Sequence, residues 1–205
     1  MVSKHKMNIT GVLHCGANEG QEASLYHSIG VKKVIWVEAI PEMYEKLKVN
    51  LRKFPNQYAI MSCIGNVDGE EVIFNISNND AQSSSYLELA HHSIIHPSVV
   101  YNSHLKMKTE RIDTLFSKRT DDISMINFGN FDVQGVEKVA IESMGDLLNQ
   151  FNYLWVEINK RETYKGCMLV DDLDYFLLQK GFERVETGNW VADTWTDGLY
   201  IRRYK

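Results

Sequence analysis

Short apolar runs alternate with amphipathic stretches along most of the chain. Five apolar runs predict buried strands, at residues 11–15, 32–39, 57–64, 123–135 and 153–159. Apolar residues at helical spacing predict four helices, at 19–29, 42–54, 136–148 and 168–182. A hairpin turn with a strand is expected at 68–76, a strand ending in a helical turn at 105–116, and two closing strands at 182–188 and 198–204.

This order of elements predicts the fold class. Strands that alternate with helices form an open, mostly parallel sheet with helices on both faces. A chain of 205 residues suits one domain, so we expect a single doubly wound α/β domain over residues 1–205. Ligands of such sheets bind beyond the carboxyl ends of the strands, where the informative side chains are therefore expected.

Residues 77–104 interrupt the alternation. They are rich in Ser, Asn and His and show little periodicity, which predicts a long loop with one helical turn. A loop of this length inside a compact domain usually has a function. We expect it to be an insertion that covers the ligand site as a lid or substrate loop.

Composition excludes several classes of protein. The net charge of −5 gives no overall basic field for nucleic acid or an anionic membrane. The start of the chain has no signal-peptide pattern, and no apolar run approaches the ~18 residues of a membrane span, so a cytoplasmic protein is expected. Cys15, Cys63 and Cys167 lack metal-ligand spacing and are expected to be buried, reduced thiols.

A glycine-bracketed turn follows the first strand. Gly16, Asn18 and Gly20 form G-x-N-x-G, and Asn18 stands where a dinucleotide fingerprint has a glycine that touches a pyrophosphate. Glu38 ends the second strand, 22 positions after Gly16, where a carboxylate accepts the hydroxyls of a free ribose. The pair indicates an adenosine-type ligand; the alternative is a tight turn and an exposed Glu.

Three further strand ends carry candidate residues. Cys63 and Ile64 follow the third strand, where small or apolar side chains often flank a purine, although they are equally consistent with core packing. Asp132 and Glu157 end the fourth and fifth strands after apolar runs, where an unpaired carboxylate is unfavourable unless it has a role. The alternatives are a helix N-cap for Asp132 and a solvated strand end for Glu157.

Six ordered motifs resemble the FkbM-type methyltransferases, over roughly residues 9–203. They are VLHCGANEGQE, VIWVEAIPEMYEKL, DAQSSSYLE, NFDVQGVE, WVEINKRETYKGC and TWTDGLYIRR. The resemblance implies a Rossmann-like class I methyltransferase fold with an antiparallel C-terminal strand, S-adenosylmethionine as cofactor, and O-methylation of a sugar, glycan or related small molecule. It also implies the cofactor-binding residues: His14, Gly16, Ala17, Asn18, Gly20, Gln21, Glu38, Ala39, Cys63, Ile64, Ser84 and Asp132. His14, Gly129 and Gly198 depart from the family pattern.

Methyl transfer to a hydroxyl needs a proton acceptor or a metal that lowers the hydroxyl pKa. Asp132 and Glu157 are the first candidates for the base, and together they are a candidate site for Mg²⁺ or Mn²⁺. His104 is an alternative base. Trp190 and Trp195 are expected in the core or a lid, with stacking on a sugar face as the alternative.

Two other functions are also compatible with a fold of this kind. A nicotinamide-dependent oxidoreductase uses the same fold, but Asn18 and the absent third glycine argue against it. A non-catalytic methyltransferase-like module would bind a partner or glycan, but Gly16, Gly20, Glu38 and Asp132 argue against such loss of function.

Overall fold

The computed structural model describes residues 4–119 and 123–203. In these ranges the strands are β1 (Gly11–Cys15), β2 (Lys33–Glu38), β3 (Gln57–Met61), β4 (Cys63–Ile64), β5 (Glu71–Ser77), β6 (Tyr101–Glu110), β7 (Phe128–Phe131), β8 (Tyr153–Asn159), β9 (Phe182–Thr187) and β10 (Trp195–Arg202). The helices are α1 (Ala23–Ser28), α2 (Pro41–Leu51), α3 (His92–Ile95), α4 (Ile112–Ser117), α5 (Glu137–Glu142) and α6 (Val170–Gln179), with a 3₁₀ helix at Gly145–Gln150. Within the described ranges, every helix is too short or too polar to cross a bilayer.

Seven strands form the central sheet in the order β3-β2-β1-β7-β8-β10-β9. Strands β3, β2, β1, β7 and β8 pair in parallel, whereas β10 is antiparallel to both β8 and β9. The order reverses between β1 and β7, so the loops that leave these two strands diverge and open a crevice. The predicted doubly wound sheet with an antiparallel C-terminal strand is confirmed.

Alternate residues of each strand pack on opposite faces of the sheet. In β1, Val12 packs with Tyr26 of α1 and Leu47 of α2, whereas Leu13 packs with Ile112 of α4 and Ile141 of α5 on the other face. Because strand side chains alternate in direction, a strand covered on both faces is apolar throughout. This burial on both faces explains why the apolar runs in the sequence are continuous.

The expected strand at 57–64 is two strands in two sheets. β3 pairs with β2 up to Met61, and β4 then pairs with β6 in a small sheet of order β4-β6-β5. Gly65 follows β4 and packs closely on β6, since a Cβ there would come within 2.5 Å of the Thr109 side chain. The break between β3 and β4 depends on the pairing of β4 with β6, which lies far along the chain.

Other boundaries also differ from the sequence prediction. The helical turn expected within residues 77–104 corresponds to α3, but the segment also includes the beginning of β6, which starts at Tyr101. The strand expected at 123–135 is confined to Phe128–Phe131, because the chain turns at Gln134 and Gly135 with φ of 55° and 96°. The helix expected from residue 19 begins at Ala23, because the turn before it occupies the earlier residues.

Candidate active site

The first turn joins β1 to the exit of β7. Gly16 has a φ of 83°, and a Cβ at this position would lie 1.7 Å from the carbonyl oxygen of Asp132. Gly20 has a φ of 76° and packs against the side chain of Leu47 in α2. Both positions require glycine, because the turn is packed between the two elements while its backbone is in the left-handed region.

Glu38 connects the same turn to the end of β2. Its carboxylate accepts hydrogen bonds from the backbone N–H of Asn18 at 2.7 Å and of Ile40 at 2.8 Å. The side chain is buried, and burial raises its pKa to about 7, an effect that the N–H groups of Ile40 and Asn18 oppose. Each carboxylate oxygen keeps a lone pair for a further donor, as a vicinal diol requires.

Asp132 and Glu157 lie at the ends of the neighbouring strands β7 and β8, joined by Gln134. The amide Nε2 of Gln134 donates to Asp132 Oδ1 and, at 3.3 Å, to Glu157 Oε2. The hydroxyl of Tyr164 donates to Gln134 Oε1 at 2.5 Å, which fixes the direction of the amide. The two carboxylates therefore share one donor, and Tyr164 holds that donor in place.

The pKa values of both carboxyl groups are raised. Burial, followed by the nearby Asp197, raises the pKa of Asp132 to about 6, against the hydrogen bond from Gln134. Burial raises the pKa of Glu157 well above its usual range, and Glu137 and Asp132 add to the effect. Like charges at close range disfavour the fully ionised pair, so the protonated form of Glu157 is favoured beside an ionised Asp132.

Glu137 shapes the loop that leaves β7. Its Oε1 accepts hydrogen bonds from the backbone N–H of Val133 at 3.1 Å and of Gly135 at 3.0 Å. The side chain is buried, and burial raises its pKa to about 7. The acid that closes the NFDVQGVE motif therefore folds the turn that carries Gln134.

Residues 77–104 pack over the same region. Asn18 Nδ2 donates to the carbonyl oxygen of Asp80 at 3.0 Å, and Ser85 Oγ donates to that of Gln134 at 2.8 Å. Further along, the backbone N–H of Ala90 donates to Thr163 O at 2.9 Å. The segment thus contacts the turn after β1, the turn after β7 and the loop after β8.

These elements enclose a cavity of about 570 Å³, a volume typical of small-molecule sites. Ten of the residues expected at the site line it: His14, Gly16, Asn18, Gln21, Glu38, Ala39, Ile64, Ser84, Asp132 and Glu157. Ala17, Gly20 and Cys63 do not line it. Ala17 and Cys63 are buried in the core, and Gly20 packs against α2.

His104 requires a correction, because the structure places it outside the cavity. It lies in β6, where it pairs with Asn75 of β5, and its side chain is exposed. Sequence position within the polar segment suggested proximity to the site. The strand pairing directs this part of the segment away from it, and the histidines that line the cavity are His14, His92 and His96.

His14 borders the cavity from the core side. Its Nδ1 lies 3.1 Å from the Tyr26 hydroxyl and 3.3 Å from Asn130 Nδ2, and its ring stacks on Trp36 at 4.5 Å. Burial lowers its pKa to about 3, so the ring is neutral at physiological pH. His14, which departs from the family pattern, therefore places an uncharged ring near the end of β1.

Several cavity residues were not singled out from the sequence. Gln134 and Tyr164 lie inside quoted motifs, NFDVQGVE and WVEINKRETYKGC, yet neither has an ionisable group of the kind that strand-end reasoning seeks. His92 was one of four histidines in the polar segment with no pattern to distinguish it. Their roles come from contacts between residues that are distant in sequence.

The donor set gives no support to Mg²⁺ or Mn²⁺ at Asp132 and Glu157. In residues 4–119 and 123–203, no group of three or more His, Cys, Asp and Glu side chains is arranged to hold a metal ion. A hard divalent cation takes six or more oxygen ligands. Between these two carboxylates lies an amide nitrogen that donates to both.

A doubly wound sheet of this order, with a glycine turn after β1, an acid at the end of β2 and a cavity at the switch point, is the arrangement of a class I methyltransferase. A family model described as the methyltransferase FkbM domain matches residues 14–184. The chain therefore belongs to the FkbM methyltransferase family.

Solved structures share the fold at low sequence identity. TrmK of M. capricolum, in complex with S-adenosylhomocysteine, is 10% identical with a TM-score of 0.56, over 97% of this chain and 64% of that one. Magnesium protoporphyrin IX methyltransferase (ChlM) from Synechocystis PCC 6803, with bound S-adenosylmethionine, is 10% identical with a TM-score of 0.55, over 98% of this chain and 74% of that one. A putative RNA methyltransferase from Pyrococcus horikoshii is 11% identical with a TM-score of 0.51, over 98% of this chain and 76% of that one.

The chain covers 64% of the length of TrmK, slightly less than two thirds. No curated protein matches it. The family match favours the methyltransferase expectation over the nicotinamide-dependent oxidoreductase.

Proposed function

We propose that the protein transfers a methyl group to a hydroxyl of an uncharged sugar, glycan or related small molecule. The observation that carries this proposal is the charge of the cavity wall. Glu22, Glu38, Asp132 and Glu157 line the cavity, whereas no Lys or Arg of the described residues does. A wall with acidic groups and no cation among the described residues offers no ion-pair partner to phosphate groups, and its carboxyl oxygens accept hydrogen bonds from hydroxyl groups.

The same observation weighs against an RNA acceptor, the substrate class named for some structural neighbours. Proteins that bind nucleic acid neutralise phosphates with Lys and Arg. This chain has a net charge of −5, and its cavity has an acidic wall. RNA is therefore the second candidate acceptor, and we rank it below a neutral polyol.

The chain's own residues fit the proposed cofactor. S-adenosylmethionine, when bound, supplies the methyl group on a positively charged sulfur. Glu38 accepts hydrogen bonds from the ribose hydroxyls with the lone pairs left free by Asn18 and Ile40. The turn at Gly16 and Asn18 forms the neighbouring wall.

Asp132 is the proposed proton acceptor. Its pKa of about 6 leaves it ionised near neutral pH, while remaining close enough to neutrality for proton transfer. Gln134 and Tyr164 orient its carboxylate through the amide hydrogen bonds described above. Glu157, with its raised pKa, retains a proton and so limits the negative charge beside Asp132.

Substitution of the two carboxylates tests this assignment. Asp132→Asn should retain the fold and lower kcat by about 10²–10⁴, the usual effect of losing a general base. In the parent enzyme the rate should fall as pH drops through about 6, because protonation removes the acceptor, and Asp132→Asn should lack this acidic limb. Glu157→Gln should leave the limb in place, because Glu157 retains its proton and adds no charge beside Asp132.

The assay uses methyl transfer to a panel of neutral monosaccharides and their methyl glycosides. Asp193→Asn is the control, because Asp193 is exposed and pairs with Lys160 outside the cavity. Activity is expected to persist with a chelator. If Asp132→Asn transfers methyl at the parent rate, or if only RNA is methylated, the proposal is wrong.

A further inference from the structure

Two buried side-chain nitrogen atoms in the described part of the chain have no hydrogen-bond partner, and both belong to residues of the cavity wall. They are His92 Nδ1 and Trp195 Nε1. A buried polar group without a partner is destabilising, so most such groups in native proteins are paired with protein, water or ligand. Both residues border the same cavity, although the two nitrogen atoms themselves are buried beside it.

The contacts of His92 fix which of its nitrogen atoms carries the proton. Its Nε2 lies 3.1 Å from Ser83 Oγ, and that oxygen accepts a hydrogen bond from Asn79 Nδ2 at 3.0 Å. Of the contacts of Ser83 Oγ, His92 Nε2 is the atom that can accept the serine proton, so we assign Nε2 as the unprotonated nitrogen of the ring. In the neutral ring this places the proton on Nδ1, so the unpaired atom is a hydrogen-bond donor.

His92 is held in position by the chain around it. It begins α3, less than a tenth of it is exposed, and its backbone N–H donates to Thr163 O at 3.3 Å. Its ring lies 5.7 Å from that of Tyr164. The same tyrosine donates to Gln134, which contacts Asp132 and Glu157. The His92 ring therefore belongs to the wall that also holds the proposed proton acceptor.

Trp195 borders the same cavity and comes from the C-terminal part of the sequence. It is the first residue of β10 and pairs with Asn159 at the end of β8, two residues beyond Glu157. The indole N–H can only donate a hydrogen bond. His92 and Trp195 thus supply two donors to a cavity whose ionisable wall residues are otherwise mainly acceptors.

We propose that His92 and Trp195 bind oxygen atoms of the methyl acceptor and so determine which acceptor the enzyme takes. This inference rests on the hydroxyl acceptor proposed above. A polyol satisfies both kinds of group, since its oxygen atoms accept from His92 and Trp195 while its hydroxyl protons face the carboxylates. Both nitrogen atoms are shielded from solvent, so the acceptor reaches them through a shift of residues 77–104 or rotation of the rings.

Three substitutions separate hydrogen bonding from packing. Trp195→Phe keeps an aromatic ring and removes the donor. His92→Asn places an amide nitrogen near the position of Nδ1, whereas His92→Gln places one near Nε2, where it can still contact Ser83. Trp190→Phe is the control, because Trp190 lies outside the cavity wall and its ring packs under Lys160.

The experiment measures kcat and KM for the best acceptor in the panel of neutral monosaccharides and methyl glycosides, with S-adenosylhomocysteine affinity by calorimetry. Trp195→Phe and His92→Gln should raise the acceptor KM about tenfold with unchanged cofactor affinity, the effect of one lost hydrogen bond. His92→Asn should retain a KM nearer to the parent value than His92→Gln. If His92 had a purely structural role, His92→Gln should keep a KM nearer to the parent value than His92→Asn, because the contact with Ser83 survives only in the Gln variant.

The indole N–H resonances of the tryptophans give a second readout. In ¹⁵N-labelled protein with S-adenosylhomocysteine, the best acceptor should shift the Trp195 resonance and leave that of Trp190 unchanged. If the parent methylates a panel sugar but Trp195→Phe and His92→Gln keep its KM, the donor pair is refuted and the proposed function stands. If the parent methylates no panel member, the proposed function fails, and the donor pair fails with it.

Discussion

Single side chains at this site serve the fold and the chemistry together, and Glu38 shows this most clearly. Its carboxylate joins the turn after β1 to the exit of β2 through the N–H groups of Asn18 and Ile40. From the sequence, the position of Glu38 relative to the glycine turn predicted only a contact with a ligand. The structure adds that the turn itself needs this carboxylate, because its removal leaves two N–H groups without their acceptor.

Glu38→Gln should therefore weaken cofactor binding and destabilise the protein at the same time. We expect S-adenosylhomocysteine affinity to fall by about 1–3 kcal/mol, because one acceptor oxygen becomes a donor. Calorimetry measures the affinity, and thermal unfolding of the free protein measures the structural part. Glu42→Gln, on the exposed face of α2, is the matched control. Unchanged affinity in a folded Glu38→Gln variant would remove Glu38 from the cofactor site.

Among the elements, residues 77–104 depend most on contacts outside themselves. The serine side chains bond within the segment, as in the contact of Ser77 Oγ with Ser84 Oγ at 3.2 Å. Its contacts with the rest of the domain include side-chain hydrogen bonds with the turns after β1 and β7, the backbone pairing of Ser85 with Asn75, and backbone contacts with residues 162–165. A surface segment at the edge of a cavity opens locally more easily than the core.

Residues 77–104 should therefore gain protection from hydrogen exchange when S-adenosylhomocysteine binds. The physical reason is that a ligand in the cavity adds contacts to the inner side of the segment and disfavours its opening. Exchange with and without the ligand, followed by mass spectrometry, measures the effect. Helix α6 packs into the core, does not line the cavity, and serves as the internal reference. Equal exchange across 77–104 in both conditions would contradict its role as a cover.

For the whole molecule, the dominant feature is a set of buried carboxyl groups around one cavity. Burial raises the pKa of Asp132 and Asp197 to about 6 and of Glu38 and Glu137 to about 7, and it raises that of Glu157 well above its usual range. Each group binds its proton more tightly in the folded than in the unfolded protein. Their contribution to stability is therefore complete below the ordinary carboxyl pKa and is lost as pH rises through the folded values.

The free protein should consequently have a lower thermal unfolding midpoint at pH 8 than at pH 5.5. Glu157→Gln should raise the midpoint at pH 8, on the order of 2–4 °C for each kcal/mol recovered, because it removes the group that is least favourable to ionise. The difference between the two pH values should shrink in this variant. Glu42→Gln should keep the parent difference. A midpoint that rises steadily from pH 5.5 to 8 would contradict the raised pKa values.

The sequence by itself determined the succession of elements and the acids at the strand ends. Apolar runs and helical spacing are local signals, because a buried strand or helix imposes its period on neighbouring residues. The doubly wound order then follows from short right-handed connections. Hence Glu38, Asp132 and Glu157 could be placed at one edge of the sheet, and the six motifs indicated the family.

Only the tertiary structure decided which side chains meet. Residues 57–64 divide between two sheets because β3 pairs with β2 and β4 pairs with β6, and Gln134 joins Asp132 to Glu157 while Tyr164 holds its amide. His92 lines the cavity while His104 does not, although both lie in the same polar segment. These outcomes depend on contacts between residues tens of positions apart, and no periodicity within a window of the sequence records such contacts.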